Sequence, residues 1–326
     1  MLKKQNNDEQ ADHSINMAIN FANAINYDYD RCIVLNKIAN VLGENGRKKE
    51  SFLFLEQSIN IAEGIDNLFE SRDIVIREIS INSMKIGDLN LALKINDKLS
   101  TEYNRSSGLK ELCVNLAEKG NFKMAIELSS EINNNFLKAN ALIGIVKTVH
   151  NDKKVIDKLL QQAFENIIDI ADDLTKCITI NDISNEYFYQ GNFVQSNITI
   201  QSAYKFTIKI NKSNDRIKFW KKLGRENYLE KSMALCILQI KTLPNEEAIL
   251  FYKSGMAEAI TATNANASNV LELLELVKED TKSIAHLLQM HALYLCFFEN
   301  TNSIKMQRLN KTLNIQWALD IKEKLN

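Results

Sequence analysis

The stretch NSMKIGDLNLALKIND, from Asn82 to Asp97, is echoed 33 residues later by NLAEKGNFKMAIELSS, from Asn115 to Ser130. Taking the glycine of each phrase as an anchor brings two further copies into line, so that Gly46, Gly87, Gly120 and Gly191 share one frame. Eleven residues before the anchor stand Leu35, Ile76, Leu109 and Ile180; eight before stand Ile38, Ile79, Leu112 and Ile183. Seven before are the small residues Ala39, Ser80, Cys113 and Ser184, and four before are Leu42, Ser83, Leu116 and Tyr187. These offsets follow the three, four, seven spacing of one helical face. Glycine tolerates the left-handed conformation that ends many helices. Asp88, Asn121 and Asn192 follow it as good N-caps for a second helix. Five residues after the glycine come Ser51, Ala92, Ala125 and Ser196, small enough for the second helix to lie close against the small residue at minus seven. Each copy therefore reads as a helix, a tight turn and an antiparallel helix.

Copy lengths vary in a way that keeps the same face inward. From Arg31 to Arg72 is 41 residues, and from Arg72 to Arg105 is 33, as is the step to Lys138. That copy, KANALIGIVKTVHNDKKV, has no turn glycine and uses His150 to Asp152 instead. A longer copy has room for roughly two more helical turns in its second helix. With one proline, Pro244, and ten glycines in 326 residues, little interrupts a chain built almost wholly of helices. The expected organisation is a polar N-terminus and capping helix over residues 1–30, helical repeats over 31–244, and a C-terminal helical region over 245–326. In that last region, helices are expected near Asn245–Ala262, Ser268–Val277, Thr281–Phe298 and Thr301–Lys324.

A helical pair recurring every 33 to 41 residues resembles the tetratricopeptide repeat, and WKKLG, Trp220 to Gly224, is similar to the opening of that family's pattern. The turn glycines, with Ala92 and Ala125 after them, match the same pattern, while the closing proline is missing from the copies. Other helical-hairpin repeats remain close alternatives. The resemblance implies an all-α fold: an α-solenoid of antiparallel helix pairs wound into a right-handed superhelix.

No phosphate loop, nucleophile elbow or metalloprotease motif is present. His286 and His291 are five apart, the wrong spacing for one helical face. The five cysteines, Cys32, Cys113, Cys177, Cys236 and Cys296, lie far apart, as buried free thiols would. Glu246 and Glu247 read as a helix start. No catalytic residue, metal or cofactor is expected, and the chain is read as a non-enzyme. The net charge of −1 gives no global attraction to nucleic acid. The opening MLKKQNNDEQADHS has no apolar run behind its lysines, and ALYLCFF is too short to span a bilayer. A soluble, cytoplasmic protein is expected.

If the first helix of each copy lines an inner wall, the residues ten before the glycine, or at the equivalent place, face the groove: Asn36, Arg77, Lys110, Ile143, Asn181 and Lys221. Those six before it include Asn40, Lys147, Asn185 and Arg225. Neither row contains an acid. The family resemblance implies a peptide clamp, with Asn binding backbone and Lys or Arg binding a carboxylate. The expected partner is therefore a protein or peptide, an acidic one suiting the basic row; a merely solvated polar face is the competing reading. The basic residues that open the copies, Arg31, Arg72, Arg105 and Arg216, are assigned a structural role, pairing with acids or with the preceding helix's C-terminal carbonyls. A peptide-responsive regulator is the alternative function, and an all-helical toroid enzyme a more distant one.

Overall fold

A computed structural model of the protein describes residues 2–66, 71–149, 152–231, 236 and 239–262. Among the described residues the structure is all-helical, with thirteen helices and no strand. They are α1 (Leu2–Ala24), α2 (Asp28–Glu44), α3 (Lys48–Gly64), α4 (Ser71–Ile86), α5 (Leu89–Asn96), α6 (Glu102–Glu118) and α7 (Phe122–Ser129). There follow α8 (Asn135–Thr148), α9 (Lys153–Ile168), α10 (Asp173–Tyr189), α11 (Phe193–Thr207), α12 (Ser213–Glu230) and α13 (Glu246–Ala262). The helix expected at Asn245–Ala262 is α13; the three expected beyond it lie outside the described residues.

The four anchor glycines have φ of +79°, +108°, +80° and +75°. Any other residue would bear a left-handed strain of roughly 1–2 kcal/mol there. The hydrogen bonds around them explain why the frame is so regular. The residue after each glycine donates its N–H to the carbonyl four before the glycine: Arg47 to Leu42, Asp88 to Ser83, Asn121 to Leu116 and Asn192 to Tyr187, at 2.9–3.0 Å. This six-to-one bond closes a Schellman turn and satisfies a carbonyl the helix end would orphan. Asp88 and Asn192 then accept from Leu91 and Gln195 N–H, capping the second helix; Asn121 occupies the cap position without a side-chain bond. Second-helix length carries the variation in copy length: 17 residues in α3 of the 41-residue copy, but eight in α5 and in α7 of the 33-residue copies.

The small residues at minus seven and plus five meet as their size requires. Ser51 Oγ donates to Ala39 O at 2.5 Å, Ser80 Oγ to Ala92 O at 2.8 Å and Ser184 Oγ to Ser196 O at 2.9 Å. A second tier lies fourteen before and twelve after the glycine, where the Cys32 thiol donates to Ser58 O and that of Cys177 to Ala203 O, both at 3.3 Å. Burial removes these thiols from water and pushes Cys32, Cys113 and Cys177 up to about 12 and Cys236 to about 11.

The chain divides into two compact units. The first takes in Met1–Ile170 with Tyr189–Gly191; the second takes in Ala171–Phe188 and the described residues from Asn192 on. In the first unit, α2, α4, α6 and α8 pack one against the next, and each also packs on the helix that follows it. A continuous core runs through α2 to α5, built on Leu55, Val75, Ile76, Ile79 and Ile95. Ile15, Ala18 and Ile19 of α1 cover Leu35, Ile38 and Leu42 of α2, so α1 closes that end of the apolar face. Arg105 donates to Leu99 O at 2.8 Å and Lys138 to Ser130 O at 3.1 Å, so these basic residues hold carbonyls at or just past the end of the preceding helix.

In the second unit, Arg216 donates likewise to Ile210 O at 2.7 Å. Here α12 lies directly on α13 through two interior glycines. A Cβ on Gly224 would stand 2.0 Å from Tyr252 O, and one on Gly255 would stand 1.9 Å from Lys221 O. Phe219 and Trp220 are buried beside this crossing, with Trp220 5.2 Å from Tyr204. Asn245 caps α13 by accepting from Ala248 N–H, with Glu246 and Glu247 in its first turn.

Candidate functional site

The two rows of proposed groove residues fall differently in the two units. In the first, Asn36 and Asn40 sit one turn apart on α2, Arg77 on α4, Lys110 on α6 and Lys147 on α8. Asn36 is only 2% exposed, and its side-chain oxygen has no hydrogen-bond partner. Asn40 spends its Nδ2 on Glu44 at 2.9 Å, and its buried oxygen also lacks a partner. Arg77 reaches from α4 to the Ser107 hydroxyl of α6, 3.3 Å away. Lys110 is half-buried and Lys147 exposed.

In the second unit the same register positions repeat the asparagines and change the charge. Asn181 and Asn185 of α10 are both buried, and both carboxamide oxygens lack partners. Asn181 donates to Glu226 of α12 at 3.2 Å. Lys221 forms an ion pair with Glu258 of α13 at 2.7 Å, and Lys222 one with Glu226 at 3.5 Å. Arg225 is exposed. The rows themselves hold no acid, but the fold brings two beside them. Lys221 is therefore locally compensated in a way that its register position does not reveal.

The recurring element is a pair of asparagines at the same two positions, NKIAN in α2 and NDISN in α10, each with a carboxamide oxygen turned away from water and unused. A buried acceptor without a donor costs on the order of 1–3 kcal/mol. It is relieved by whatever N–H can reach it.

Asp73, 2% exposed, accepts from Ser100 N–H and Oγ and from Asn104 Nδ2, a clamp within the first unit that the sequence reading had not picked out. Among the described residues, no group of three or more His, Cys, Asp or Glu side chains is arranged to hold a metal ion. Among the same residues no helix is long and apolar enough to cross a membrane. His286, His291 and Cys296 lie outside the described residues. The chain matches no known family model, and no curated protein matches its sequence.

Proposed function

We propose that the chain is a non-enzymatic, tetratricopeptide-like α-solenoid that binds a protein or peptide on the face of its first helices. The observation that carries this reading is the repeated asparagine pair. Asn36 and Asn40, then Asn181 and Asn185, each hold an unused carboxamide oxygen at equivalent positions. The carboxamides turn outward when an extended peptide's backbone N–H supplies the missing donor, since as they stand the oxygens are closed to solvent. Support also comes from the first unit, where α2, α4, α6 and α8 pack in series; that order suits repeats that touch only their neighbours. Arg77, Lys110 and Lys147 give this face a basic character that favours an acidic partner. The free buried thiols fit a reducing, cytoplasmic setting.

The test is binding of a fluorescent peptide library, read by anisotropy, to wild type, Asn36→Leu/Asn40→Leu and Lys110→Glu/Lys147→Glu. Acidic peptides are expected to bind wild type and to lose at least tenfold in affinity to each variant. Peptides that bind both variants as well as wild type would remove the first-helix face from consideration.

A further inference from the structure

In the first unit, lysines from three successive hairpins meet at the turn between α4 and α5. Lys119, the residue that ends α6, reaches back to the end of α4, its Nζ donating to Lys85 O at 2.6 Å and to Met84 O at 3.4 Å. Lys48, the first residue of α3, comes to the same turn from the preceding hairpin: a Cβ added to Gly87 would stand 3.4 Å from its Nζ. Lys85, in the last turn of α4, is close enough for its charge to act on Lys119. The repeat does not call for these lysines. Two residues after the glycine, where Lys48 stands, the other copies carry Leu89, Phe122 and Phe193. One residue before it, where Lys119 stands, they carry Asn45, Ile86 and Gln190.

Little in the fold offsets this charge. Among the described residues, none of the three lysines forms an ion pair with an acid. Asp88, next to Gly87, caps α5 through Leu91 N–H, and Glu50, in the first turn of α3, pairs with Arg47. The last carbonyls of α4 present roughly half a negative charge to three ammoniums. No side chain caps the start of α3 at Lys48, so the positive end of that helix adds to the same sign. Burial, followed by the like charges of Lys85 and Lys48, holds the Lys119 ammonium below the usual lysine value. Helix packing thus holds three like charges together, an arrangement that a multivalent anion relieves.

We propose that Lys48, Lys85 and Lys119 form a binding site for a small diphosphate anion, held as a bridge between three hairpins. An ammonium binds phosphate as a point charge, through charge-assisted hydrogen bonds. One phosphate group carries about −1.5 to −2 near neutral pH, so two linked groups are needed to balance three ammoniums. Because the ammoniums come from α3, α4 and the end of α6, the bound anion ties successive hairpins of the first unit together. None of the three lysines belongs to the asparagine or basic rows, so the site stands or falls independently of the peptide reading.

The experiment is calorimetric titration of the full chain with inorganic pyrophosphate and with orthophosphate, at about 0.15 M salt to screen weak surface attraction. Wild type is compared with Lys48→Gln/Lys85→Gln, which leaves Lys119 on the carbonyls of α4, and with Lys94→Gln/Lys158→Gln. The second pair removes the same charge from exposed positions of the same unit. Circular dichroism confirms that each variant keeps its helices. The expected result is saturable binding of one pyrophosphate per chain, at least tenfold tighter than orthophosphate. Lys48→Gln/Lys85→Gln is expected to weaken pyrophosphate at least tenfold, and Lys94→Gln/Lys158→Gln to leave it within twofold of wild type. No saturable binding by wild type, equal affinities for the two anions, or equal weakening by the two variants would each overturn the proposal.

Discussion

Adding one methyl group at Gly224 is expected to weaken the second unit more than any helix-propensity argument allows. In an ordinary helix interior, Gly→Ala stabilises by about 0.8–1.0 kcal/mol. At Gly224 the new Cβ stands 2.0 Å from Tyr252 O, and ordinary contact begins near 3.4 Å. The obstructing atom is backbone, so no side chain can swing aside; α12 and α13 must separate by about 1.4 Å, opening the packing around Phe219, Trp220 and Tyr252. Overpacking of this kind costs typically 1–3 kcal/mol, and the rigid obstacle places it at the upper end. Set against the propensity gain, the net loss is about 2 kcal/mol. With a urea slope of about 2 kcal/mol/M, that lowers the midpoint by roughly 1 M.

The assay is urea unfolding followed by the fluorescence of Trp220 in a Trp317→Phe background, which leaves one tryptophan. Two comparison variants separate the causes. Gly64→Ala ends α3 with nothing within 4 Å and is expected to be neutral or stabilising by circular dichroism. Gly120→Ala also has open space but φ of +80°, and is expected to lose about 1–2 kcal/mol from backbone strain alone. A Gly224→Ala midpoint equal to or above that of its parent would refute the reasoning, because it would mean that the two helices are not in backbone contact.

Asp73→Asn keeps the shape of the buried clamp but turns an amide toward the Ser100 and Asn104 donors, and is expected to cost about 2–3 kcal/mol in urea unfolding. Ser80→Ala removes a single bond to Ala92 O and is expected to cost about 1 kcal/mol by the same measurement. The raised thiols make a pH prediction. Between the ordinary thiol value near 9 and about 12, the unfolded chain loses protons that folded Cys32, Cys113 and Cys177 keep, so stability falls as pH rises. Thermal melts from pH 8 to 10.5 are expected to fall less steeply in a Cys32→Ser/Cys177→Ser variant, and native thiols are expected to resist alkylation at pH 8 until urea is added.

The fold was legible where its physics is local. A Schellman turn needs a left-handed residue and a fixed count back to the carbonyl it satisfies, so Gly46, Gly87, Gly120 and Gly191 announce themselves by position. The apolar offsets were equally reliable, since Ile76, Ile79 and Leu112 are buried, with Leu109 only half-buried at its equivalent place. Interior glycines were harder. Gly108 and Gly144 accept the close approach of Asn96 and Val114, and Gly255 that of Lys221, contacts between helices that leave no periodic trace in the chain.

The site was half legible for a related reason. The asparagines recur at fixed distances from a turn within their own copy, so register alone found Asn36, Asn40, Asn181 and Asn185. The charges around them depend on which residue of a later helix comes alongside. Glu226 meets Asn181 across 45 residues, and Glu258 meets Lys221 across 37. Those separations match no single repeat length, so register alone does not name the partner. An uncompensated basic row is therefore a weaker inference from sequence than an asparagine pair. Reversing Lys221 would also strand Glu258, so a loss of binding in that variant would not by itself report on acidic recognition.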